Sequence, residues 1–245
     1  MTGGTALAGM LAGRVAVVIG ATGWIGTSIS RVLRDAGADL VLVARDEQRL
    51  GALQRDLAAG EHVVTAVADV TSQLEVDDAR AVAIARFGHI DLVVVTSGVI
   101  TGSAFEDGIP ADWAEMIDVN LRGLLHSAQT FADPLLASAE RGRPSDLVLL
   151  GSVSAESHTP RFAVFNAISA SIKQLGRTLR DEYGPRGVRV HVVEPGFAPG
   201  VAELDHERSE SGVTPEAIAA VVAVSAALPA TANLAEAVIL PTGRS

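Results

Sequence analysis

The chain contains no cysteine. Disulfides, zinc–thiolate centres and a cysteine nucleophile are thereby excluded, and the absence fits a reducing cytoplasm. Aromatic residues make up only 4% of the chain, and there is a single tyrosine. The hydrophobic fraction is nevertheless 48%, so the core has to be aliphatic. Basic residues are scarce against acidic ones, 19 against 29 in 245 residues, for a net charge of −10. Such a surface has little to neutralise phosphates, which argues against a nucleic-acid partner. No apolar run reaches the ~18 residues of a membrane span. Residues 1–12 lack the basic flank of a signal peptide and read as a flexible N-terminal arm. Residues 13–245 read as one domain, without repeats or linkers.

What is present is a regular alternation. Short aliphatic runs at Arg14–Ile19, Leu40–Ala44, His62–Ala68, Asp91–Thr96, Asp146–Leu150, Val188–Val193 and Ala237–Leu240 read as strands buried on both faces. Between them, apolar residues recur at helical spacing. Helices are expected after the first turn up to Gly37, over Asp46–Ala59, Ser72–Phe87, Ala111–Ala137, Arg161–Tyr183 and Thr214–Leu228. Thr214 and Pro215 form an N-cap and first helical position. Strict strand–helix alternation implies an α/β fold of Rossmann type, a doubly wound, seven-stranded parallel sheet flanked by helices. The polar stretch Glu203–Gly212 reads as a mobile loop.

Gly20-Ala-Thr-Gly-Trp-Ile-Gly26 joins the first strand to the first helix. In such folds ligands sit beyond the carboxyl ends of the strands. Glycines there let the backbone approach a pyrophosphate, and the following helix N-terminus offers unpaired N–H groups. Gly20, Thr22, Gly23, Trp24, Ile25 and Gly26 are therefore cofactor candidates. Arg45, just after the second strand, suits the 2′-phosphate of NADP(H) better than the ribose of NAD(H). Asp46 beside it points the other way.

The order of motifs resembles the short-chain dehydrogenase/reductase family over about Leu11 to Thr242. Asp69-Val70 looks like the family's adenine-contacting pair. Val95-Thr96-Ser97-Gly98 takes the place of its Asn-Asn-Ala-Gly, which puts Ser97 and Gly98 at the cofactor. Trp113 with Asp118-Val119-Asn120-Leu121 resembles the segment carrying the family's asparagine. Ser152 stands where the catalytic serine belongs, and Pro195-Gly196 where the nicotinamide end is contacted. The closing Glu236–Thr242 segment is also family-like.

The departures bear on chemistry. Trp24 occupies the place of the middle glycine. Thirteen residues beyond Ser152 comes Phe165, and four further comes Ser169, where the resemblance implies Tyr and Lys. Phenylalanine donates no proton, and serine carries no charge to lower a phenol's pKa. Lys173, one turn on, reads as a solvated lysine, and Tyr183 lies too far along the helix. His158 in the loop after Ser152 is the best replacement acid. His126 reads as a packed or surface residue. Ser152 and Asn120 remain able to bind and polarise a carbonyl oxygen.

The resemblance thus implies an NADP(H)-dependent oxidoreductase with altered proton delivery, without a metal. A non-redox cyclase, isomerase or lyase on the same scaffold, and a silent nucleotide-binding subunit, remain as alternatives. The small-molecule substrate would lie under Ile100–Gly108, the loop after Ser152 and Phe197–Gly212. Phe105, Phe162 and Phe197 suggest an apolar pocket, and the short last loop suggests one open to a bulky molecule. Family members form dimers or tetramers through the helices at 111–137 and 161–183.

Overall fold

The computed structural model describes residues 7–58, 60–157, 159–196 and 212–242. Seven parallel strands form one sheet: β1 (Val15–Ile19), β2 (Asp39–Ala44), β3 (Val63–Val67), β4 (Leu92–Val95), β5 (Ser145–Leu150), β6 (Val188–Pro195) and β7 (Glu236–Ile239). Their spatial order is β3-β2-β1-β4-β5-β6-β7. The winding therefore reverses between β1 and β4, and the crevice at their carboxyl ends is the expected ligand position.

The strand residues explain the layers. Along β1, Val15, Val17 and Ile19 enter one core, while Ala16 and Val18 enter the other. The first core packs under α3 (Gln73–Phe87), α5 (Gly123–Glu140) and α6 (Ala163–Tyr183); the second packs under α1 (Trp24–Asp35), α2 (Glu47–Asp56) and α7 (Pro215–Ala227). Alternation at a period of two sends successive side chains to opposite faces, and helices cover both.

Two boundaries differ from expectation. The helix expected over 111–137 is α4 (Pro110–Met116) and α5 joined by a π-helical turn, Ile117–Arg122. The N-terminal arm is anchored from residue 7. Leu11 is 1% exposed, and its N–H donates to the Ala36 carbonyl at 2.9 Å. One apolar side chain inserted under α1 is enough to hold it.

At the sheet end remote from the glycine turn, buried charges are paired. Asp146 receives Arg189 Nε at 2.7 Å and Arg14 at 2.5 Å, and lies 2.9 Å from His191 Nε2. Burial pushes its carboxyl upward, but the His191 and Arg189 hydrogen bonds and the Arg14 charge hold it below the usual range. Among the described residues no helix is long and apolar enough to cross a membrane.

Candidate active site

The turn after β1 is built so tightly that only glycine fits at two places. Gly20 has φ +84, and a Cβ there would lie 2.7 Å from the Ser97 nitrogen. A Cβ on Gly26 would lie 2.1 Å from the Gly20 carbonyl oxygen. Gly23 caps α1 without a side-chain hydrogen bond, and no acidic residue stands in the first turn of that helix. The first N–H groups of α1 and the positive end of its dipole therefore face the crevice unneutralised. Trp24 opens α1 and is 43% exposed, so the indole stands outside the core at the mouth of the turn. Ile25 packs against the core below.

The side walls come from the neighbouring strands. Thr96 Oγ1 donates to the Ile19 carbonyl at 2.8 Å and ties the end of β4 to the end of β1. Ser97 Oγ is buried without a partner among the described residues, an orphaned hydroxyl where a cofactor group would sit. Asp69 accepts Thr71 N–H and Oγ1 at 2.9 and 2.8 Å. Burial raises its pKa, but the Thr71 hydrogen bonds and the Arg45 charge bring it below the ordinary value. Val70 is buried against Gly123, and its carbonyl lies 2.9 Å from His126 Nδ1, which fixes His126 as a packed residue.

Arg45 reaches only to within 3.8 Å of Asp69 and stays 63% exposed. Asp46 does not compete with it, because its carboxylate accepts the Arg49 N–H at 3.0 Å and caps α2. Arg49, which the sequence did not single out, donates from its guanidinium to the Thr22 carbonyl. Two cations thus flank the glycine turn. At the carboxyl end of β6, Pro195 pairs with Ile239, and Gly196 N–H donates to the Ile239 carbonyl at 2.7 Å.

Ser152 follows β5 in extended conformation, and its hydroxyl oxygen accepts the Ser154 N–H at 3.2 Å. That bond occupies a lone pair and leaves the hydroxyl proton available for a ligand oxygen. Asn120 lies in the π-helical turn, 5% exposed. Its Oδ1 accepts the Val99 N–H and its Nδ2 donates to the Val99 carbonyl, both at 2.7 Å. It fixes the backbone after β4, and this contact uses one of its two amide hydrogens.

Phe165 lies in the first turn of α6 and packs against the core. Ser169, 2% exposed, donates to the Phe165 carbonyl at 2.8 Å, so its hydroxyl is turned into its own helix. His158, Phe197 and residues 203–211 lie outside the described residues.

Lys173 is the main surprise. It is 6% exposed, where a solvated lysine was expected. Its Nζ lies 2.8 Å from Glu194 Oε2 and 2.8 Å from Glu156 Oε1, and 3.5 Å from Glu236. Burial alone would lower its pKa, but the bonds from Glu156 and Glu194 raise it above the ordinary lysine value. Glu156 is held low by the same contact. Neither is an acid at neutral pH. The sequence did carry a signal: Glu194 is the penultimate residue of a strand buried along its whole length, and a buried carboxylate requires a partner.

Of the three phenylalanines expected to line an apolar pocket, Phe105 and Phe162 are described. Phe105 stacks on Trp113 with centroids 5.2 Å apart, and Phe162 fills the space over Gly102. Only about 10 Å³ remains between them. An open space of about 430 Å³ lies between the loop after Ser152 and the start of α6, and polar side chains share its wall with apolar surface. Among the described residues no cluster of three His, Asp or Glu side chains is placed to hold a metal.

Three comparisons bear on this site. The short chain dehydrogenase family model matches residues 14–210. An uncharacterised oxidoreductase of Staphylococcus epidermidis is 38% identical over 184 residues, 75% of this chain and 77% of that protein. Among solved structures, serine dehydrogenase from Escherichia coli superposes with a TM-score of 0.84 at 26% identity, covering 95% of this chain and 100% of its own. A metagenomic short-chain oxidoreductase in complex with NADP gives 0.82 at 28%, covering 95% and 99%. With the sheet order, the glycine turn and Ser152 in place, the chain belongs to the short-chain dehydrogenase family.

Proposed function

We propose that the protein is an NADP(H)-dependent oxidoreductase acting on a carbonyl or alcohol, with proton delivery altered from the family pattern. The observation that carries this reading is the glycine turn, where a Cβ at Gly26 would meet the Gly20 carbonyl at 2.1 Å. Such close packing opposite an uncapped helix N-terminus suits a pyrophosphate. The exposed Arg45 and neighbouring Arg49 favour a 2′-phosphate over a bare ribose. Relatives named as oxidoreductases, and a neighbour in complex with NADP, support the same assignment.

Bound NADP(H) would exchange a hydride with the substrate carbon. The chain's own part is to hold and polarise. Ser152 donates its hydroxyl proton to the substrate oxygen in a hydrogen bond, while Ser154 N–H fixes its orientation. Phe165 and Ser169 occupy the positions at which the family carries its proton-transferring tyrosine and its lysine, and neither supplies the proton. In reduction, the proton that joins the substrate oxygen then comes from water; in oxidation, it returns there. Loss of a positioned proton donor typically slows a reaction by about 10²–10⁴-fold, so turnover is slow by family standards. The chain is a homo-oligomer in this reading, with Ile117 and Leu125, both exposed on the α4–α5 helix, as contact residues; sedimentation velocity checks that.

Fluorescence titration with NADPH and NADH tests the cofactor assignment. NADPH binds more tightly, and Arg45→Ala removes the difference. Equal affinities in the unaltered protein, or no binding of either, would overturn it.

A further inference from the structure

The 430 Å³ cavity beside Ser152 has a chemical character of its own. Its wall includes Ser154, Glu156, Thr159, Arg161, Ala163 and Asn166. Ser154 connects it to the site, since its N–H holds the Ser152 hydroxyl.

Arg161 is the one cation among the described residues of that wall. It is exposed, and none of the ion pairs among the described residues involves it. The carboxylate on the same wall, Glu156, is already matched by Lys173 at 2.8 Å. Among the described residues, the Arg161 charge on this wall is therefore not matched by a carboxylate.

The backbone reinforces the point. Arg161 adopts φ +74, a left-handed conformation that glycine takes freely and a long side chain does not. The Ser103 N–H, donating to the Arg161 carbonyl at 2.9 Å, holds it there. Sparsely populated backbone conformations of this kind cluster at functional sites. Arg161 stands just before Phe162, the N-cap residue of α6. The N-cap residue Phe162 makes no side-chain bond there, and no acid stands in the first turn of the helix. Asn166, in the same turn, gives its Nδ2 to the Thr159 carbonyl at 3.2 Å, and its buried Oδ1 has no donor among the described residues.

We infer that this cavity is a carboxylate subsite. Arg161 holds the carboxylate of a short hydroxy- or oxo-acid, aided by the first N–H groups of α6, and the carbon to be oxidised or reduced sits at Ser152. A second polar hydrogen of the substrate, a hydroxyl or ammonium, satisfies Asn166 Oδ1. The inference rests on the oxidoreductase reading for the reaction at Ser152, and on Arg161 alone for the choice of substrate class. It differs from the apolar substrate suggested by the phenylalanines. A guanidinium is suited to the task because its planar fork matches the two carboxylate oxygens.

Calorimetry on the NADPH-loaded protein tests it with two probes of the same length, 3-hydroxypropionate and 1,3-propanediol. NADPH prevents their oxidation, so binding alone is read. The acid is expected to bind at least tenfold more tightly than the diol. Arg161→Gly should abolish that difference while melting at the same or a higher temperature, because glycine relieves the left-handed backbone. Arg161→Lys should retain part of it. Equal affinity for acid and diol, or full discrimination by Arg161→Gly, overturns the inference. The titrations are repeated without nucleotide. If NADPH does not bind but the acid still does so through Arg161, the subsite stands and the oxidoreductase reading falls. If NADPH binds and the probes do not differ, the subsite falls alone.

Discussion

Replacing Lys173 with methionine keeps the apolar stem of the side chain and removes only its charge. In the native protein that charge lies 2.8 Å from Glu194 Oε2, and the Glu194 side chain is 1% exposed. Its other oxygen, Oε1, has no partner among the described residues. Lys173→Met thus leaves a carboxylate buried without compensation. Breaking a buried pair from one side costs about 3–5 kcal/mol. For a chain of this size each kcal/mol lowers Tm by about 2–4 °C, so a fall of roughly 6–20 °C is expected. Removing both charges, as Lys173→Met with Glu194→Leu, should recover most of the loss, giving a coupling of about 2–3 kcal/mol in a double-mutant cycle. Glu156→Ala should change stability little, because that carboxylate is 70% exposed and exposed pairs contribute little. The pH sign follows from the raised lysine pKa. Stability from the pair is fully present below the unfolded lysine value of about 10.4 and is lost only as pH climbs through the higher folded one. The cost of Lys173→Met should therefore be constant between about pH 6 and pH 9. Urea unfolding followed by circular dichroism measures the native protein, Lys173→Met, Glu194→Leu, their combination and Glu156→Ala. A loss under about 1 kcal/mol in Lys173→Met, with no coupling to Glu194, would refute the reasoning, because it is the size expected of a surface pair.

Further outcomes follow from other residues. Gly26→Ala should abolish NADPH binding in fluorescence titration, because the new Cβ falls 2.1 Å from the Gly20 carbonyl; circular dichroism then establishes whether the fold is retained. Arg45→Ala should weaken NADPH by about 10–100-fold, the loss of a charge-assisted hydrogen bond, and leave NADH unchanged. Asp146 titrates below its ordinary value of 3.8, so its contribution is present above that pH and is lost as pH falls through the folded value. Acid unfolding monitored by circular dichroism should show that loss in the native protein and a flatter acid limb in Asp146→Asn. Phe165→Tyr combined with Ser169→Lys should raise turnover of the same substrate by about 10²-fold or more. An unchanged rate would mean that proton transfer does not limit the reaction.

The sheet and the nucleotide turn were legible because their signals are local. Val15–Ile19 is an aliphatic run, Gly20 and Gly26 bound the turn, and both meet their constraints within a few residues. The side-chain pairings were not legible, because they depend on which strands become neighbours. Lys173 meets Glu194 from a strand 21 residues away. Asn120 binds the backbone of Val99, also 21 residues away. Helical spacing alone placed Lys173 one turn past Ser169 but did not show that this face meets β6. The packing of two of the pocket phenylalanines was hidden for the same reason. Phe105 and Phe162 were read as lining residues, yet stacking on Trp113 and packing over Gly102 use them up. Arg161 lacked any sequence signal beyond its neighbour Pro160, since a left-handed arginine is a property of the folded loop.

Hydride transfer is most directly tested by mixing the protein with NADP+ and a series of short 2- and 3-hydroxy acids, serine included, and following absorbance at the reduced-nicotinamide band. An oxidoreductase of the kind described here gives slow, enzyme-dependent formation of NADPH with at least one of them, and little with NAD+. If NADP+ binds and neither these acids nor uncharged alcohols yield NADPH, the nucleotide site is real but the redox assignment is wrong.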